Sequence, residues 1–146
     1  MAISALDKPA WVAALLQPPA VRFLIRLALV SSYLIGGFTK ISDFSSAVAE
    51  QAHFGLHPPA VWAVMAIIIE LGASTLLLLN RFVWLAAGGL GVLTAVAMLV
   101  ANNFWTMEGH ARFMALNSFF EHLGLIATLV LATILAQRHQ LPPTGA

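Results

Sequence analysis

Long apolar runs alternate with short polar breaks along this chain. Four runs, residues 22–42, 60–80, 82–101 and 114–136, each approach the length at which a helix crosses a bilayer, about 20 residues. The pattern predicts an all-α fold, an integral membrane four-helix bundle. The breaks differ in length: a long loop DFSSAVAEQAHFGLHPP, a tight turn at Asn80-Arg81, and a second polar loop NNFWTMEGHAR. A turn as short as Asn80-Arg81 makes the second and third helices an antiparallel hairpin. Residues 1–21 hold a short apolar stretch closed by Pro18-Pro19, read as an interfacial segment anchored by Trp11, and residues 137–146 form a polar tail. No internal repeat divides residues 22–136, so they form one domain.

Composition agrees with this pattern. Hydrophobic residues make up 60% of the 146 residues and charged residues 9%, whereas soluble domains carry about 25% charged residues. With a net charge of +1 and no run of Lys or Arg, the chain lacks the basic footprint that nucleic acid requires. It has no cysteine, which excludes disulfides, thiolate metal sites, iron–sulfur clusters and thiol exchange by the chain itself. Any redox role therefore needs a bound cofactor or a partner.

Charge also predicts orientation. Lys8, Arg22, Arg26, Arg81 and Arg138 flank one end of the spans, against Lys40 and Arg112 at the other. The positive-inside bias places both termini in the cytoplasm of a bacterial cell whose inner membrane holds the chain as a multi-pass protein. Asp43, Glu50, His53, His57, Glu108 and His110 then face the periplasm, and Trp62, Trp84 and Trp105 sit near the headgroup level.

Ionisable residues at membrane depth are costly, so each invites a functional reading. Arg26, Tyr33 and Lys40 are spaced by sevens and share a helix face with Gly36 and Gly37. Glu70 lies mid-span with Ala66, Ala73 and Ser74 on its face. In the last span Asn117, Glu121, Gly124 and Thr128 form a stripe, with His122 about 100° round from it. These stripes are expected to face the bundle interior. Glu121 near Lys40, and Glu70 reaching Arg26 or Lys40, would make a network close to neutral. The third span has no charge and carries Ala87, Gly91 and Ala95 at a spacing that favours close helix packing.

Two explanations of the interior charges stand side by side. They are glue between helices that lack a hydrophobic drive to associate, or they surround a cavity. The candidate catalytic cluster is Arg26, Lys40, Glu70, Glu121 and His122, with Tyr33 and Trp105 as candidate cofactor contacts. Such donors and acceptors suit a quinone-like head group, whose carbonyls take up protons on reduction.

No metal site is assigned. His53 and His57 are four apart, with Glu50 and His110 on the same membrane side, but His57 precedes Pro58, which disfavours helix there. Paired haem ligation needs facing histidines on two helices, and only His122 lies within a span. No HExxH, P-loop, dinucleotide fingerprint or nucleophile elbow is present.

The segments RLALVSSYLIGGFTKISDF, GLHPP, IIIELGA, NNFWTMEGHAR and FFEHLGLIATL, in this order and spacing, resemble the DoxX family over roughly residues 22–136. The resemblance implies a four-helix membrane protein; the family takes its name from a subunit of a thiosulfate:quinone oxidoreductase. It also implies that Arg26, Lys40 and Glu70 match the family's charged helix positions and Phe104-Trp105 its loop signature. The chain departs from the family at Asn102-Asn103, where relatives often have histidine, and at Glu121-His122, where they often have Lys-Asn. The leading expectation is a membrane subunit of a quinone-linked oxidoreductase, working with a periplasmic or membrane redox partner. A non-enzymatic anchor for a periplasmic partner is the second, and a small proton-coupled transporter with Glu70 as proton carrier the third. The lack of inverted repeats counts against the transporter. Exposed Gly/Ala faces leave self-association open.

Overall fold

A computed structural model describes residues 9–138, and all the regular structure in that range is helical. Helix α1 (Ala10–Leu16) is short and stops ahead of Pro18, with Trp11 70% exposed. Helix α2 (Pro19–Ser42) starts three residues earlier than expected, with Pro19 in its first turn. Proline suits that position because the first helical N–H groups have no internal partner anyway.

The long first loop is not a plain loop. It contains α3 (Phe44–His53), which corrects the expectation for this segment. The Asp43 carboxylate accepts the Ser46 backbone N–H at 3.0 Å and the hydroxyls of Ser45 and Ser46 at 2.8 and 2.6 Å, satisfying a donor that the first turn leaves open. At the other end Gly55 adopts φ +72°, and the Leu56 N–H donates to the Gln51 carbonyl at 2.9 Å. That left-handed closure favours glycine.

The second span, Pro59–Leu78, is continuous but not uniform: α4 (Pro59–Ile68) passes through a π turn (Ile69–Ala73) into α5 (Ser74–Leu78). A tight turn, with Asn80 and Phe82 at positive φ, leads into α6 (Val83–Ala101), as the hairpin reading required. A 3-10 turn (Phe104–Thr106) precedes α7 (Gly109–Arg138). Helix α7 begins five residues before its expected start, so GHARF is helical rather than loop. At 30 residues it is about 45 Å long and overshoots the hydrocarbon core.

Four segments are long and apolar enough to cross a membrane. Helix α6 lies centrally, packed on α7, the π turn and α5, while α2 packs on the α4–α5 span and barely touches α7. The core joins Val30 and Tyr33 of α2, Leu77 of α5, Ala86, Ala87 and Leu90 of α6, and Leu129 of α7. Alanines at two of these α6 positions let neighbouring backbones approach, which is how helices gain packing energy when lipid removes the hydrophobic drive. Ile35, Phe38, Ile68, Val92 and Val130 point outward, where acyl chains replace water as solvent. Because α2 and α7 hardly meet, a crevice opens between them at one end of the bundle, and a second cavity lies beside α3 at the other.

Candidate functional site

Lys40 ends α2, and Glu70 lies in the π turn opposite it. The Lys40 ammonium donates to both carboxylate oxygens, Oε1 at 2.9 Å and Oε2 at 3.1 Å. Their side chains are only 17% and 11% exposed, so the pair neutralises two charges that the membrane interior would otherwise penalise. Two glycines make room for it. A Cβ on Gly36 would lie 3.3 Å from Glu70 Oε2 and 3.4 Å from Lys40 Nζ; one on Gly37 would meet Leu71 at 2.7 Å. Thus Gly36-Gly37 brings the α2 backbone against the π turn, and the ion pair fills the space beside them. π turns inside helices recur at functional sites.

The pair forms part of the wall of a cavity of about 350 Å³ at the loop end of the bundle. That volume falls at the lower end of small-ligand sites, about 300–1,000 Å³. Glu50 and Gln51 of α3 line it from above, Trp62 from α4, and Ser118 and His122 from α7, with apolar α6 residues opposite. The Trp62 indole N–H donates to the His57 carbonyl at 3.4 Å, and His122 Nδ1 lies 2.6 Å from the Ser118 carbonyl. A carbonyl can only accept, so Nδ1 is the donor in this contact and Nε2 takes no part in it.

The structure divides the expected cluster. Lys40, Glu70 and His122 come together at this cavity. Arg26 lines a different cavity, at the opposite end. Asn117, Glu121 and Gly124 are exposed on α7 and Thr128 lines the arginine-end cavity, so the expected contact of Glu121 with Lys40 does not form. Among the described residues Lys40–Glu70 is the single ion pair. The physical reason is that α7 packs through its other side, with Ala115 and Leu129 buried against α6 and the core.

Tyr33 and Trp105 also lie away from the cavity. The Thr94 hydroxyl donates to the Leu90 carbonyl at 2.7 Å, so the Tyr33 hydroxyl donates to Thr94 and ties α2 to α6 inside the core. Trp105, 55% exposed, stands edge-on to Phe104 and Phe119 at the surface. His53 closes α3 and His57 lies beyond it, so the two share no helix face. Among the described residues no three potential metal ligands converge.

Sequence reasoning missed Glu50, Gln51, Trp62 and Ser118 as cavity residues. For α3 a signal existed: Asp43 followed by Ser46, then Ala47 and Gln51 four apart, which are the two residues that α3 buries. The loop label over this segment concealed it.

The DoxX family model matches residues 21–103, from the start of α2 to just past α6, and so contains Lys40 and Glu70 but not α7. The chain is also similar to the inner membrane protein YphA of Escherichia coli (strain K12), with 25% identity over 116 residues that cover 80% of this chain and 83% of that relative. No solved structure matches it. With more than half of its length matched and four segments able to cross a bilayer, the chain belongs to the DoxX family of multi-pass membrane proteins.

Proposed function

We propose that this chain is a membrane subunit of a quinone-linked oxidoreductase in the inner membrane, and that the cavity roofed by α3 receives the quinone head group. The observation that carries the proposal is the Lys40–Glu70 pair on the wall of a cavity that His122 also lines. A quinone carbonyl accepts hydrogen bonds and, with each electron taken up, a proton. Lys40 is the donor for a carbonyl oxygen, and Glu70 and His122 are groups able to pass protons. The apolar α6 wall suits the ring. Two electrons and two protons convert quinone to quinol. With no cysteine in the chain, the electrons come from a partner subunit that carries its own redox group.

A structural role for the pair competes with this reading, because the two charges already satisfy each other and pin α2 to the π turn. Lys40→Met combined with Glu70→Met separates the two, since an apolar pair of similar size can replace a buried ion pair without loss of fold. Protein in nanodiscs containing a short-chain ubiquinone should show tryptophan quenching that Trp62→Phe removes and the double methionine variant abolishes while still unfolding cooperatively. Quenching unchanged in the double variant would sink the proposal.

A second reading, an anchor for a periplasmic partner, is favoured by the exposed Trp105 beside Phe104 and Phe119. Its mark is a stoichiometric partner that is lost on replacing residues 103–112 and kept in the double methionine variant.

A further inference from the structure

At the end of the bundle opposite the Lys40–Glu70 cavity, a crevice of about 440 Å³ lies between α2 and α7, two helices with little direct packing between them. Its charged side chains are two arginines of α2. Arg22 and Arg26 stand one turn apart on the same face of α2, with Asn80 from the hairpin turn also lining the crevice. Leu29, Leu77, Leu131 and Leu135 supply apolar wall, and Thr128 is the remaining polar contributor. No acidic side chain lines the crevice, and the single ion pair among the described residues is at the other cavity.

We infer that this crevice binds an anionic glycerophospholipid, its phosphodiester held by Arg22 and Arg26 and one acyl chain lying between α2 and α7. Three observations point to that class. Two guanidinium groups without a carboxylate among the lining residues call for an anion, and the guanidinium fork matches phosphate oxygens. Arg26 is half-buried and about 6 Å further along the helix than Arg22, which grades the site from charged mouth to apolar interior. The walls beyond the arginines are apolar apart from Thr128 and belong to segments long and apolar enough to cross a membrane, which a free phosphate would not need. Basic pockets between membrane helices hold anionic lipid headgroups for these reasons.

The test compares lipid retention by the purified full chain, measured by native mass spectrometry, after exchange into phosphatidylglycerol or phosphatidylcholine. Wild type should keep phosphatidylglycerol in preference. Removing each arginine should cost about fivefold in that preference, so Arg22→Gln with Arg26→Gln costs about 25-fold. Arg81→Gln, at the same end but outside the crevice, should leave the preference unchanged. Ala132→Phe, which fills the crevice and spares both arginines, should weaken retention of the two-chain lipid. Equal losses for Arg81→Gln and the double variant would mean general attraction to an anionic surface and overturn the site. Retention unaffected by Ala132→Phe would overturn the acyl-chain placement, and no preference in wild type would overturn the whole inference.

Discussion

Gly37 has no side chain, and the place one would occupy belongs to Leu71 of the π turn, 2.7 Å from where its Cβ would be. Gly37→Ala should therefore push α2 from the π turn and lower stability by about 1–3 kcal/mol, the usual cost of overpacking a fitted contact. Thermal unfolding in detergent measures it; an unchanged midpoint would show that the contact yields freely. Asp43 is tested by pH. The Ser46 hydroxyl first, then the Ser46 N–H and the Ser45 hydroxyl, hold its carboxyl down to about 2. A carboxylate whose pKa falls on folding contributes in full above its unfolded value, about 3.9, and loses that contribution as pH drops through the folded value. Protection of the α3 amides, corrected for intrinsic exchange, should hold to about pH 4 and fall toward about 2. Asp43→Asn should remove that pH dependence.

Among the elements, α7 is where pattern and packing part company. Only 6% of its apolar window is buried, and Asn117, Glu121 and Gly124 of its polar stripe are exposed. A carboxyl side chain on an exposed face of a membrane span opposes insertion, so Glu121→Leu should favour insertion of this helix by about 2–3 kcal/mol in a glycosylation-reporter assay. Since Glu121 lines neither the Lys40–Glu70 cavity nor the arginine crevice, the same variant should leave quinone quenching intact. Loss of quenching would return Glu121 to the site. The period of α7 was legible in the sequence, but its facing was not. A stripe of Asn, Glu, Gly and Thr shows that one side differs from the other without saying which side meets α6.

For the whole molecule, the end that gathers the α2 start and the α5–α6 turn carries Arg22, Arg26 and Arg81. At the far end Lys40 is neutralised by Glu70, which leaves Arg112 as the cation there among the described residues without an ion-pair partner. Among the described residues the arginine end holds the larger number of Lys and Arg, and we expect that end in the cytoplasm. Because the chain has no cysteine, single substitutions report cleanly. Ser45→Cys should react with an impermeant maleimide added to intact spheroplasts, and Asn80→Cys only after lysis. The reverse pattern would invert the topology.

The number of spans, the hairpin at Asn80-Arg81 and the marking of Arg26, Lys40, Glu70 and Glu121 as intramembrane charges follow from the order of residues alone, because bilayer thickness sets a length and the cost of intramembrane charge marks the exceptions. Those are one-dimensional constraints. Which charges meet is three-dimensional. Lys40 reaches Glu70 because Gly36-Gly37 and a π turn bring two backbones together, Tyr33 is taken by Thr94, and Arg26 and Glu121 are carried elsewhere by the way α2 and α7 pack. Periodicity places side chains around one helix axis, and only contact between helices decides which of those directions becomes an interior.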